Sequence, residues 1–421
     1  MCSLNININS QGIIFDKVRY ITNDSWPEDD LGFSSSTSSK YSLRKFTPIP
    51  KTQIGQSCVG WSTAYSAMST KYNIMFDITD PNEKYIHSFD PNYIYSLIAT
   101  EFDYDCDTGT YIFDALEYME NFGCKKLFFP SYTDCNSVID KKSKEFGKPF
   151  KINKGLSPGD WFEKMSITEK TNEIKHLISS ENPVIIGADF TNSIYSVEDS
   201  GGVDSGGLWP YNDNEEFLGG HAMCIIGYDD NKFGGSFEVM NSWGSNYGDN
   251  GFIWIRYNDL FKVNKEFYII DAFIQEKFQN NDYTCYWGDC YSDYSHILWS
   301  DGERYEGEFK DGSYHGTGVM LRKNGLMYSG SFKNGKEDGY ALIFDTKENK
   351  YYESDWKKGE VIDYNVLGFS EVQRSENDLK MKKLIDAFIK NGLIKLEDEN
   401  ILDNMDFDRI PKIKKTKKIE H

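Results

Sequence analysis

The amino-acid sequence predicts an α+β protein followed by an array of β-hairpins. Helical spacing dominates the chain up to about residue 180. Strand-like apolar runs dominate from there to Ile274, and past residue 284 an aromatic and glycine pattern recurs at a fixed interval. With 421 residues, 39% apolar and 15% aromatic, the chain has material for two or three packed units. It has no apolar run long enough to span a bilayer. Its formal net charge of -20 sets it against nucleic acid and anionic lipid as general partners.

Residues 1–40 are polar, interrupted by Pro27 and the run Ser34–Ser39, and read as a loose, partly flexible lead-in. The next unit is expected over 41–280. Its first helix follows Cys58, where Trp61, Ala64, Tyr65 and Met68 fall at the spacing of one buried face. Further helices are expected from Ile112 to Phe122, stopped by Gly123, and from Thr171 to Ser180. Strands follow at Pro183 to Gly187, His221 to Tyr228, Ser236 to Met240, Gly251 to Arg256 and Glu266 to Ile274. A repeat array spans 285–362, and a segment over 366–421 holds a Ser375-capped helix, Glu376 to Lys390, and the basic run Lys412 to Lys418.

Eight scattered cysteines are too sparse for a disulfide scaffold, and the N-terminus lacks the basic and apolar regions of a signal peptide. Mostly free thiols in a reducing, cytoplasmic setting are expected, with leaderless export left open. Cys285, Cys290 and His296 lack the ligand number and spacing of a closed zinc site, so neither metal nor cofactor is expected.

Three segments carry chemistry together. In Gln53-Ile-Gly-Gln-Ser-Cys58 the cysteine sits where a loop enters a helix, and the unpaired N–H groups there favour a thiolate. Gln53, five residues earlier, can offer an amide to a developing oxyanion. His221 opens a strand between the small residues Gly220 and Ala222. Twenty residues on, Asn241-Ser-Trp243-Gly supplies an amide to hold the imidazole and an indole to shield that bond. Either a lone cysteine or a lone histidine is usually a packing residue; in this order, with glycines alongside, the set forms an acyl-transfer site.

At these residues the sequence resembles the papain-like (C1) cysteine peptidases, from about Tyr41 to Ile274. The resemblance implies a two-subdomain papain-like fold. It makes Cys58 the nucleophile, His221 the general base and acid, Asn241 the orienting residue and Gln53 the oxyanion donor. Gly109, Trp61, Gly220, Ala222 and Trp243 would line the substrate. Trp does not directly follow the nucleophile, because Val59 and Gly60 intervene, and position 55 is Gly where relatives carry a cysteine. The substrate-cradling glycine pair is reduced to Gly109. The 163 residues from Cys58 to His221 exceed the roughly 130–150 of the family, which implies an insertion, best placed at Glu198 to Glu216.

The later repeat, Tyr305-Glu-Gly-Glu-Phe-Lys-Asp-Gly312, recurs from Tyr328 and, with Ser354 for its first glycine, from Tyr352. It resembles MORN repeats, which implies protein contacts or self-association. Twelve acidic and ten basic residues from Asp301 to Glu360 give it no basic lipid-binding face, so membrane contact is disfavoured.

The expected function is a cysteine protease acting on peptide or protein, with the repeats recruiting a substrate or partner. The alternatives are an amidase or transglutaminase-like acyl transfer on the same residues, or an inactive binding module. Access to Cys58 is expected to be limited by a flexible segment, either Ser34–Ser39 or Glu198–Glu216.

Overall fold

The computed structural model describes residues 13–22, 25, 38–53, 55–102, 108–127, 150–199, 206–271, 278–279, 282–345 and 350–367. The C-terminal helix and basic tail, positions 34–37 of the serine run, and 200–205 of the acidic insertion lie outside these residues.

The first half is built on one helical rod. It opens at Cys58–Gly60, passes through π-helical Trp61–Met68 and closes as Ser69–Met75. At the junction the Ser69 N–H reaches the Ala64 carbonyl, an i→i+5 bond. The spacing suggested a single buried face, whereas every residue from Cys58 to Met68 is buried. The rod runs between other helices and the sheet, so both sides are covered. Gly60 is the closest approach: a methyl group there would overlap the Pro91 carbonyl. Pro91 opens the Pro91–Phe102 helix, with Asp90 Oδ1 accepting from the Asn92 N–H at 3.0 Å.

Facing the rod is a seven-stranded antiparallel sheet. Its strands are β1 (Lys40–Ser42), β2 (Gly155–Leu156), β3 (Val184–Thr191), β4 (Phe217–Asp229), β5 (Ser236–Met240), β6 (Phe252–Arg256) and β7 (Asn264–Ile270). The spatial order is β2-β7-β3-β4-β5-β6, with β1 also pairing the end of β4. The long β4 is central, which is why its residues from Gly219 to Tyr228 are buried on both faces. The helix expected from Thr171 begins earlier, at Ile167, because Ser166 and Glu169 form a reciprocal capping box.

The lead-in is less loose than its composition implied. Ile13 and Tyr20 join the main core, and Lys17–Thr22 is helical.

The second sheet is a nine-stranded antiparallel meander: β8 (Phe278–Gln279), β9 (Tyr283–Trp287), β10 (Asp293–Trp299), β11 (Arg304–Lys310), β12 (Ser313–Leu321), β13 (Leu326–Lys333), β14 (Lys336–Asp345), β15 (Lys350–Lys357) and β16 (Glu360–Leu367). The repeat explains the shape. Each copy ends in a two-residue turn with both residues at positive φ: Asp311-Gly312, Asn334-Gly335 and Lys358-Gly359. Such turns match the twist of the flanking strands. The repeat aromatics form a ladder, with Tyr305 against Phe332 at 5.0 Å and Tyr328 against Trp356 at 5.5 Å. In the third copy Ser354 is buried and bonded twice, donating to the Ala341 carbonyl and accepting from Trp356 Nε1.

One expectation about cysteines changes. Cys285 and Cys290, expected as free thiols, form a disulfide. His296 stacks on Phe76 at 4.3 Å instead of pointing to a ligand set. Cys58, Cys124 and Cys224 are free and buried. Among the described residues no helix is long and apolar enough to cross a membrane.

The second sheet meets the helical half of the chain through a buried polar hub. Glu306 of β11 accepts from the Tyr72 hydroxyl, lies 3.1 Å from His87 Nδ1 and 3.5 Å from Lys126 Nζ, and accepts from the Tyr294 hydroxyl at 3.2 Å. Tyr72 belongs to the rod that begins at Cys58, so the array grips the far end of that helix.

Candidate active site

The rod packs against β4, which brings its first residue, Cys58, beside the strand carrying His221. Both residues are buried, at 0% and 3% exposure. Cys58 sits in the first turn, where its own N–H and that of Val59 favour the thiolate, and the Ala222 N–H of β4 does the same from across the interface. The cysteine is thus held against the residue that follows His221. Burial opposes these donors and pushes the thiol up to about 12, while burial drives His221 down to about 4. Burial thus favours the neutral thiol and the neutral imidazole over the ion pair here.

Asn241 follows directly on β5. Its Oδ1 accepts from the backbone N–H of Ser242 at 2.8 Å, which identifies that atom as the oxygen, and it lies 2.8 Å from His221 Nε2. Nε2 therefore carries the proton, and Nδ1 is left as the basic nitrogen. Trp243 stacks on the imidazole at 5.0 Å and 26°. Behind it Tyr195 stacks on the indole at 5.7 Å and 6°, and Phe190 presents its edge to His221 at 6.1 Å. Tyr195 and Phe190 were missed in the sequence, where nothing but their aromatic character marked them.

Gln53 reaches the same cluster. Its Oε1 accepts from Ser242 Oγ at 2.5 Å, its Nε2 donates to the Gly55 carbonyl at 2.9 Å, and its backbone N–H donates to the Ser242 carbonyl at 2.7 Å. It is joined to the Asn241–Trp243 segment, with part of its donor capacity engaged by Gly55. The other expected lining residues differ in placement. Gly109 adjoins Thr110, and Gly220 and Ala222 flank His221 on β4. Trp61 lies within the rod, 6% exposed, with its ring 4.9 Å from Tyr65, so it packs in the core in place of lining a substrate.

A papain family cysteine protease model matches residues 51–270, and a MORN repeat model matches 305–327 and 328–342. The chain belongs to the papain family of cysteine proteases. An uncharacterized peptidase C1-like protein of Acanthamoeba polyphaga mimivirus is 25% identical over 253 residues, covering 58% of this chain and 77% of that protein. Among solved structures, xylellain, a cysteine protease from Xylella fastidiosa, is 17% identical with a TM-score of 0.47, over 63% of this chain and 97% of its own. ProCathepsin B S9 from Trypanosoma congolense is 12% identical with a TM-score of 0.45, over 64% and 88%. Within this papain-family domain, Cys58, His221 and Asn241 lie on three separate elements that converge at the meeting of helix and sheet.

Proposed function

We propose that this papain-family protein hydrolyses peptide bonds through an acyl-enzyme on Cys58. His221 Nδ1 takes the thiol proton, and the sulfur attacks the scissile carbonyl. The tetrahedral oxyanion is held by the N–H of Cys58 and by Gln53. On collapse the C–N bond breaks, and the imidazolium returns its proton to the leaving amine. Water then attacks the thioester, giving its proton to His221, and the acid and free Cys58 are released. Asn241 keeps the imidazole in the productive tautomer throughout.

The observation that carries this reading is the pair of bonds to Asn241 Oδ1, from His221 Nε2 and from the Ser242 N–H, which together fix the basic nitrogen. The MORN repeats position a protein substrate or partner. Exposed Tyr340, Val361 and Ile362 give the far hairpins an apolar surface suited to that role. Incubation with a mixed peptide library tests the reaction: hydrolysed products that vanish in Cys58→Ala support it. Products joined to added amines, without hydrolysis, would favour acyl transfer to another nucleophile.

A further inference from the structure

The Cys285–Cys290 disulfide stands at the first rung of the array. Shifted by 305 minus 283, or 22 residues, Tyr283-Thr-Cys285-Tyr-Trp287-Gly-Asp289-Cys290 aligns with Tyr305-Glu-Gly307-Glu-Phe309-Lys-Asp311-Gly312. The tyrosine, the second aromatic and the aspartate are kept, and each repeat glycine is replaced by a cysteine. The backbone agrees with the alignment. Cys290 takes a φ of 51° where Gly312 takes 72°, and the Gly312 N–H donates to the Tyr291 carbonyl at 2.8 Å as the Gly335 N–H does to the Tyr314 carbonyl at 2.9 Å. Glycine adopts such a φ without strain. What a cysteine adds at that position is its bond to Cys285.

Beyond that bond the chain enters the buried hub. Trp287 pairs His296, so the connection Gly288–Ser295 is longer than the two-residue turns of the later copies. Within it the Cys290 N–H donates to Ser295 Oγ at 2.9 Å, and Asp289 Oδ1 accepts from the N–H groups of Tyr291 and Ser292 at 2.8 and 2.7 Å. The residues that follow are the ones that reach the rod. Tyr294 packs on Phe150 at 5.1 Å and donates to Glu306, while His296 stacks on Phe76 with its Nδ1 3.1 Å from the Tyr72 hydroxyl. The disulfide therefore fixes the strand that carries the array's grip.

The bond is also placed to open in the folded chain. Cys285 is fully buried, but Cys290 is half-buried between the exposed residues Gly288, Asp289, Tyr291 and Ser292. Cys290 Sγ lies 3.7 Å from the His296 carbonyl oxygen and Cys285 Sγ 3.3 Å from that of Gly288, so each thiol released has an acceptor in place.

We infer that Cys285–Cys290 is a redox clasp: a dithiol reductant opens it, and opening loosens the array's hold on the rod that begins at Cys58. A thiolate of the dithiol attacks Cys290 Sγ, the S–S bond breaks, and Cys285 leaves as a thiolate that takes a proton. The reductant's second thiol then attacks the mixed disulfide, which frees Cys290 as a thiol and leaves the reductant as a cyclic disulfide. Two electrons and two protons pass to the chain. The clasp operates whether or not Cys58 is a nucleophile.

The test uses the full oxidised chain, incubated with dithiothreitol at neutral pH without denaturant. Thiols are located by alkylation and mass mapping, and hydrogen exchange is followed in the same samples. The variant Cys285→Gly with Cys290→Gly places the repeat's own glycines at both positions and supplies an open clasp without reductant. Circular dichroism checks that each sample is folded. Reduction is expected to yield new thiols at Cys285 and Cys290 in a chain that stays folded. Amide exchange should then rise about tenfold or more over 291–296 and at the rod's end, 72–76. The double variant should show the faster exchange from the start and no response to dithiothreitol. A disulfide that yields only once the chain is unfolded would be a static staple, and the clasp would be overturned. Reduction that leaves exchange at 72–76 unchanged would overturn it equally, because the grip on the rod would not depend on the bond.

Discussion

Replacing Glu306 with Gln should destabilise the whole described structure, not the repeat array alone. The carboxylate is 3% exposed, and the cation it faces, Lys126, is 2% exposed. Burial alone would raise the Glu306 carboxyl, but the charges around it, Lys126 first, hold it well below the usual carboxylate range. Gln keeps the shape and one acceptor but leaves Lys126 without its counterion, and removing one partner of a buried pair costs about 3–5 kcal/mol. Lys126 retains some help, because it donates to the His87 carbonyl at 2.8 Å and lies 3.2 Å from the Tyr72 ring centroid. The lower end, about 3 kcal/mol, is therefore expected. At about 2 °C per kcal/mol this lowers Tm by about 6 °C. The double variant Glu306→Gln with Lys126→Met removes both charges and should recover most of the loss. Differential scanning calorimetry reads all three proteins. Two separate transitions, with Glu306→Gln moving only one of them, would refute the claim that the hub joins array and peptidase into one cooperative unit. A further consequence concerns truncation. A cut before residue 285 removes Glu306, Tyr294 and His296 and bares Lys126, Phe76 and Phe150, so it should destabilise the peptidase more than a cut after Gly312.

Cys58→Ala and His221→Ala should each abolish peptide cleavage, whereas Asn241→Ala, which orients without exchanging protons, should lose about 10²–10³-fold in kcat/KM; equal loss in all three would make Asn241 structural as well. Gly60→Ala places a methyl group on the Pro91 carbonyl and should cost about 1–3 kcal/mol in urea unfolding, with a neutral result ruling out the close helix contact. Burial raises the Glu266 carboxyl from its ordinary 4.5 to about 7, so the folded state keeps a proton that the unfolded chain loses between those values. Stability should thus fall by about 3 kcal/mol as pH rises from below 4.5 to above 7. Glu266→Gln should flatten that part of the profile; superimposable curves for the two proteins would contradict it.

The candidate site was legible as a pattern because the chemistry proposed for it restricts residue types and order: a cysteine at a helix start, a histidine in a strand, an asparagine ending the next. The hairpin array was legible because two-residue turns demand residues such as Asp-Gly and Asn-Gly at fixed intervals. Long-range pairings were not. Tyr72 and Glu306 are 234 residues apart, and within the repeat Glu306 reads only as a variable position. Ile13 opens the short apolar triplet Ile13-Ile14-Phe15 in an otherwise polar lead-in, with nothing to signal that Gly187 and Gly220 leave room for it. Trp61 shows the same limit, since helical spacing cannot say that both sides of a helix are covered.

The central claim is that Cys58 is the nucleophile of this chain and His221 its base. Labelling of the native chain with a thiol-directed epoxide, followed by mapping of the adduct, tests it most directly. The account predicts a single adduct at Cys58 that is lost in the His221→Ala variant. An adduct at Cys124 or Cys224 with Cys58 untouched, or labelling of Cys58 indifferent to His221, would contradict it.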